Sequence, residues 1–135
     1  MFFGIELSRE EIRACLSSVR AMFPMKKLTV IFQPHLFSRT RDFAAGFAES
    51  LSLADEVILL EIYPARELPI PGVNSEMLLE GIQARKKTLV AKADLVSYLE
   101  DLSTEVVVTL GAGDIDRLVP AIANLINERV KRLAL

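Results

Sequence analysis

The stretch at residues 105–114, EVVVTLGAGD, runs from apolar and β-branched residues directly into a glycine-containing turn. β-Branched residues favour strands, and a run without polar alternation predicts a strand that is buried on both faces of a parallel sheet. Two further runs share this character, and a shorter one resembles it more weakly. They are LTVIF at residues 28–32, EVILLEI at residues 56–62 and TLV at residues 88–90. The pattern therefore predicts four buried strands.

Helical periodicity fills the intervals between these strands. Ser8 and Glu11 form a capping-box pattern ahead of the first helix, and Asn74 or Ser75 begins a later, short one. Pro120 is compatible with the first turn of the last helix, or marks a kink there, because its ring cannot enter a helix interior. The predicted helices cover about residues 9–23, 41–53, 95–102 and the C-terminal segment after the GAGD turn, together with a short helix from residue 75 that ends near Gly81 or Arg85.

Buried strands that alternate with amphipathic helices are typical of a parallel sheet with right-handed crossovers. The sequence predicts an α/β fold, a Rossmann-like and mostly parallel sheet of four to six strands with helices on both faces. Residues 1–7, MFFGIEL, are a candidate for an additional strand. A length of 135 residues predicts a single domain over residues 1–135.

The composition excludes several classes of function. One Cys and one His exclude a disulfide framework and a Cys/His zinc site. A net charge of −2 gives no basic footprint for nucleic acid, and no apolar run reaches the length of a membrane span. We therefore expect a cytoplasmic protein with no nucleic-acid or membrane partner and no metal site.

Open parallel sheets bind ligands beyond the carboxyl ends of their strands, which selects three loops. The first loop, at residues 33–41, combines a helix N-terminus with a guanidinium fork and suits a carboxylate or phosphate. Its candidate binding residues are His35, Ser38, Arg39 and Arg41. The alternative is that both arginines are solvated and pair with Asp42 or Glu49.

The second loop, YPARELPIPG, is kept extended by its prolines, and Tyr63 and Arg66 are candidates to reach the same crevice, with Glu67 as a partner. Its alternative role is that of a rigid connector.

The third loop, GAGD, lacks the last glycine of a dinucleotide fingerprint. Gly111 and Gly113 permit a close backbone approach to a ligand, and Asp114 is expected to cap the last helix.

The absent motifs are equally informative. The sequence has no phosphate-binding P-loop, no Ser–His–acid set and no carboxylate cluster for Mg²⁺. No complete catalytic apparatus is predicted for this chain.

The ordered series FQPHLFSRTRD, ADEV, YPARELPIPG and GAGDI resembles the C-terminal domain of the Mur ligases, and most closely the alanine-adding branch. The resemblance implies a role in joining L-alanine to UDP-N-acetylmuramate during peptidoglycan synthesis, with ATP and Mg²⁺ in the full-length enzyme. It places His35 and Arg39 at the incoming amino acid, with Arg39 suited to the alanine carboxylate. It also implies that this domain completes the nucleotide pocket.

Two features depart from the family pattern. Its D-D-Y-x-H-H-P motif has no match at residues 3–9, and its UDP-sugar and ATPase domains are absent. We therefore expect a fragment that holds no cofactor and is inactive alone. The alternative is a stand-alone, non-enzymatic binding or interaction module, which forms a homodimer if residues 1–7 pair with a second copy.

Overall fold

The computed structural model describes residues 2–3, 8–111 and 114–134, with side chains for residues 8–111 and 114–129. Its described strands form one five-stranded sheet in which every pairing is parallel. The strands are β1 (Phe2–Phe3), β2 (Leu28–Gln33), β3 (Glu56–Leu59), β4 (Lys86–Leu89) and β5 (Val106–Gly111), in the spatial order β1-β5-β2-β3-β4. The predicted α/β sheet is confirmed.

Five α-helices connect or follow these strands. They are α1 (Arg9–Met22), α2 (Phe37–Leu51), α3 (Ser75–Gly81), α4 (Leu95–Glu100) and α5 (Val119–Ala134). Short 3₁₀ turns at Lys92–Asp94 and Asp114–Leu118 precede the last two helices. Among the described residues, no helix combines the length and apolarity needed to span a bilayer.

The sheet separates two apolar clusters, because alternate residues of a strand point to opposite faces. Val30 of β2 packs with Leu16 and Phe47 from α1 and α2 on one face. Ile31, the next residue, packs with Leu95 and Ile122 from α4 and α5 on the other. Helices therefore cover both faces, as the uniformly apolar strands predict.

Local signals placed most element starts correctly. Ser8 and Glu11 form the predicted capping box at α1. Asn74 caps α3 by accepting a hydrogen bond from the Met77 N–H at 2.9 Å. Pro120 lies in the first turn of α5, where a missing N–H costs no intrahelical bond.

Several element bounds differ from the prediction. Helix α2 begins at Phe37, four residues before the predicted start, so the first loop is shorter than residues 33–41. Strand β3 ends at Leu59 and not at residue 62 as predicted. Leu59 is the last residue of β3 that pairs with β2, at Phe32, and with β4, at Leu89. Strand β4 begins at Lys86.

The N-terminal segment contributes an edge strand within this chain. Phe2 and Phe3 pair with Thr109 and Leu110 of β5. The strand predicted within residues 1–7 is thus present at residues 2–3, and residues 4–7 lie outside the described part of the chain. A homodimer through this segment stays a prediction.

Candidate functional site

Strands β5, β2 and β3 are adjacent, so the three loops that follow them leave the sheet at one edge. These are the loops that the strand-end rule selected. Hydrogen bonds join the first loop to each of the other two, as the following contacts describe. The edge is therefore one connected unit.

The first and second loops meet at His35 and Tyr63. These residues form a parallel bridge beyond the ends of β2 and β3, supported by bonds from the Leu36 N–H to the Tyr63 carbonyl (2.9 Å) and from the Tyr63 N–H to the Pro34 carbonyl (2.8 Å). Their rings stack with centroids 5.8 Å apart and planes 16° apart. The predicted site residues His35 and Tyr63 are thus held face to face.

The chain enters α2 through an unusual backbone conformation. Leu36 has φ 68°, in the left-handed region that non-glycine residues rarely adopt, and it offers no side-chain cap to α2. Its carbonyl accepts the Thr40 N–H at 3.1 Å and the Thr40 hydroxyl at 2.8 Å. The sharp entry places Ser38, Arg39 and Arg41 in the first turns of a helix rather than in a loop.

Glu67, from the second loop, supplies the cap that Leu36 lacks. Its carboxylate accepts the Ser38 N–H at 3.1 Å and also the Ser38 hydroxyl. These bonds hold the pKa of Glu67 below its usual range, although partial burial opposes the shift. The largest contribution comes from the Ser38 hydroxyl, and the N–H groups of Ser38 and Phe37 add smaller ones. The helix N-terminus that was predicted to hold a ligand's anion therefore already holds a carboxylate of this chain.

The two arginines of α2 have different environments. Arg39 is half-buried, with its guanidinium carbon 5.5 Å from the centroid of the Phe43 ring. Arg41 is exposed and pairs with Asp42 at 2.8 Å, as the alternative interpretation predicts. Glu49 pairs with Arg13 on α1 at 3.4 Å. Arg39 and Arg41 thus differ both in exposure and in their neighbours.

The first and third loops meet through Gln33 and Asp114. The Gln33 amide donates to the Asp114 carboxylate at 2.9 Å, and its carbonyl oxygen accepts the Ile115 N–H at 3.0 Å. The Lys92 ammonium also contacts Asp114. Burial opposes ionisation of Asp114, but the bonds from Lys92 and Gln33 outweigh it and lower the pKa of this carboxyl.

The expected helix-capping role of Asp114 is wrong. Helix α5 begins five residues later, at Val119, because the 3₁₀ turn at Asp114–Leu118 intervenes. The carboxylate instead links the side chains of Gln33 and Lys92, which the sequence reasoning missed. A buried Gln at the end of an apolar strand was the available signal for Gln33, since a buried amide needs partners.

Gly111 is required by the backbone itself. It has φ 148°, and a Cβ built there would lie 2.8 Å from the Gln33 carbonyl oxygen. The backbone of Gly111 therefore lies close to strand β2, whereas the sequence predicted a close approach to a ligand. Gly113 lies outside the described residues, and its predicted role is untouched by these observations.

Arg66 is exposed beside Glu67, on the outer part of the second loop. Its predicted contact with a ligand remains a prediction. The described residues contain no group of three or more His, Cys, Asp or Glu side chains that could hold a metal ion. The edge thus offers cations, an imidazole and hydrogen-bonding groups, which are suited to binding and orienting a ligand.

A parallel α/β sheet with helices on both faces defines a Rossmann-like domain. The family model described as "Mur ligase, glutamate ligase domain" matches residues 8–119. The chain therefore belongs to the Mur ligase family, through this domain. The resemblance drawn from the sequence motifs is confirmed.

Curated relatives of this chain have the name UDP-N-acetylmuramate–L-alanine ligase. The protein from Cytophaga hutchinsonii is 54% identical over 119 residues, which cover 88% of this chain and 26% of the relative. The protein from Porphyromonas gingivalis is 56% identical over 110 residues, which cover 81% of this chain and 24% of the relative. The chain thus spans about a quarter of the length of these relatives.

Two solved structures share the fold. UDP-N-acetylmuramate-alanine ligase from Thermotoga maritima matches with a TM-score of 0.60 and 24% identity, over 93% of this chain and 25% of that one. A domain of a protein described as a UDP-N-acetylmuramate:L-alanyl-γ-D-glutamyl-meso-diaminopimelate ligase from Haemophilus ducreyi matches with a TM-score of 0.58 and 14% identity, over 94% and 87% of the two chains. At these identities the likeness concerns the fold alone.

Proposed function

We propose that this domain receives the amino acid in an ATP-dependent ligase that joins L-alanine to UDP-N-acetylmuramate. The family match and the names of the relatives support the reaction. The observation that favours this edge as the site is the joining of its loops through His35–Tyr63 and Ser38–Glu67, with half-buried Arg39 one residue beyond Ser38.

In this proposal Arg39 binds the alanine carboxylate, because a guanidinium offers paired donors to a carboxylate. The Phe43 ring, 5.5 Å from the guanidinium carbon, favours this position of the cation through a cation–π contact. His35, fixed against Tyr63, contributes a hydrogen bond to the same ligand. Ser38 and Arg41 act less directly, since Ser38 is bonded to Glu67 and Arg41 to Asp42.

The second group of predicted residues would border the nucleotide that the rest of the enzyme holds. It comprises Tyr63, Arg66, Gly111, Gly113 and Asp114. The described residues provide no metal-ligand cluster, so Mg²⁺ and ATP would be held by the ATPase domain of the full-length protein. We accordingly propose that this chain alone forms no peptide bond, and that the full enzyme works in the cytoplasm.

A chimeric enzyme tests this proposal. Residues 8–135 of this chain replace the corresponding C-terminal segment of the Cytophaga hutchinsonii relative, and condensation of L-alanine with UDP-N-acetylmuramate is measured with ATP. We expect activity in the chimera and none in the isolated chain. Arg39→Gln should raise the KM for L-alanine about 10- to 100-fold, the range for losing hydrogen bonds to a charged group. Arg13→Gln, on α1, is the matched control.

A folded chimera that binds UDP-N-acetylmuramate but fails to condense it with L-alanine would contradict the proposal. An Arg39→Gln chimera with an unchanged KM would contradict the role of Arg39. If the chimera forms no product, and the isolated chain binds other proteins whether or not L-alanine is present, the alternative of a stand-alone interaction module is favoured.

A further inference from the structure

The turn between α1 and β2 exposes an unusual concentration of apolar side chains. Met22, Phe23 and Met25 are 64%, 41% and 92% exposed, and Pro24 lies between them. We call residues 22–25 the apolar turn. The turn is tight, because the Lys26 N–H bonds the Phe23 carbonyl at 3.2 Å. Single exposed apolar residues are ordinary, whereas several in one projecting turn indicate a contact surface.

The apolar turn lies at the edge of the sheet opposite the candidate site, since it leads into the amino end of β2. The site and the proposed ligase function therefore do not use it. Beside it is an open depression of about 750 Å³. Five cations and three carboxylates line this depression: Arg20, Lys26, Lys27, Arg85, Lys86, Asp55, Glu56 and Glu105.

Two of the three carboxylates of the depression form ion pairs within the domain, and the third, Glu105, accepts the Lys27 N–H at 2.6 Å. Asp55 pairs with Arg20 at 2.9 Å and accepts the Leu28 N–H at 2.8 Å. Glu56, which is fully buried, lies 2.7 Å from the Lys27 ammonium. These contacts leave a surplus of positive charge at the rim.

Two of the rim cations are available to a partner. Lys26 and Arg85 are exposed, and the ion pairs described within residues 8–111 and 114–129 include neither, although the positive charge of Arg85 contributes to the lowered pKa of Asp55. Lys86 is 54% exposed and lies 3.7 Å from Glu56. The whole chain has a net charge of −2, so this end has the opposite sign to the protein as a whole.

Contrary to the expectation from composition that the protein has no membrane partner, we infer that the apolar turn and the cations around it dock on an anionic lipid surface. The methionine and phenylalanine side chains project outward, where they can enter the interfacial region of a bilayer. Lys26 and Arg85 flank them, and long basic side chains reach lipid phosphates while their stems stay against apolar groups.

The same geometry disfavours two other occupants. A symmetric dimer through this surface would bring Lys26 and Arg85 of both copies together, which is repulsive. An acidic partner segment would find ion pairs rather than an apolar pocket at the floor of the depression, so its apolar side chains could pack only against the projecting turn.

Co-sedimentation with vesicles tests the inference. We expect the chain to bind vesicles of phosphatidylcholine with phosphatidylglycerol, to release them as salt rises, and to bind pure phosphatidylcholine vesicles far less. Lys26→Gln and Arg85→Gln should each weaken binding about fivefold, since each charge near an anionic surface adds about that factor. Met25→Ser should weaken binding at both low and high salt.

Two matched controls exclude a general effect of surface change. Leu68→Ser removes an apolar side chain that is 84% exposed at the opposite edge of the sheet, and Arg13→Gln removes an exposed cation on α1. Neither should change vesicle binding. Absence of binding, equal binding to both lipids, or an equal effect of Leu68→Ser and Met25→Ser would overturn the inference. Self-association in the absence of lipid that Met25→Ser abolishes would assign the surface to a second copy instead.

Discussion

The carboxylate of Glu67 accepts both the backbone N–H and the hydroxyl of Ser38, so the loop after β3 caps the helix that follows β2. The two residues are 29 positions apart, and this contact joins two of the three loops at the candidate site.

The first prediction concerns this tertiary cap. Glu67→Ala should lower the thermal midpoint and speed amide exchange at residues 37–40, because the first N–H groups of α2 lose their acceptor. Glu67→Gln retains an acceptor oxygen and should have a smaller effect. Glu61→Ala, an exposed Glu that precedes the same loop, is the control. Equal amide exchange in all three variants would argue against the cap.

The second prediction concerns Gln33, which is 4% exposed and bonds both Asp114 and the Ile115 N–H. Gln33→Leu should destabilise the fold by about 1–3 kcal/mol, since it leaves a buried N–H without an acceptor. Chemical denaturation measures this change. Gln83→Leu, at an exposed position, should stay within about 0.5 kcal/mol of the parent. A Gln33 variant as stable as the Gln83 variant would show that the link between the loops is unimportant for stability.

The third prediction compares two glycines with positive φ. A residue other than glycine at this φ costs roughly 1–2 kcal/mol of backbone strain. Gly111→Ala should destabilise the fold by more than this, because the new Cβ would also lie 2.8 Å from the Gln33 carbonyl oxygen. Gly72→Ala, at φ 80°, meets nothing within 4 Å and should cost the backbone strain alone. Denaturant midpoints of the two variants provide the comparison, and equal losses would contradict the steric account.

The fourth prediction follows from the lowered pKa of Asp114, to which Lys92 and Gln33 both contribute. A carboxyl with a lower pKa in the folded state stabilises the fold above its unfolded pKa, near 4, and this contribution is lost as pH falls through the folded value. Asp114→Asn should therefore be less stable than the parent at neutral pH, and the difference should shrink below about pH 4. Lys92→Gln should show the same trend. A difference that is constant with pH would exclude an electrostatic origin.

The features predictable from sequence were those with local causes. Apolar runs such as residues 28–32 located the strands, and the capping residues Ser8 and Asn74 located helix starts. The strand-end rule selected three loops that the structure brings to one edge, because parallel strands share one carboxyl edge.

The features that were not predictable depend on contacts between distant residues. At the early start of α2 the Ser38 N–H bonds Glu67, 29 positions later, and Asp114 bonds Gln33, 81 positions earlier. No local pattern indicates that Leu36 adopts a positive φ, because leucine has no preference for that conformation.

The most direct test of the proposed function is the binding of L-alanine to the ¹⁵N-labelled chain, followed by NMR. The account predicts shifts at His35, Arg39 and Tyr63 with L-alanine, little change with methylamine, which has no carboxylate, and about 10- to 100-fold weaker binding in Arg39→Gln but not in Arg13→Gln. Shifts that avoid this edge, or that persist unchanged in Arg39→Gln, would contradict it.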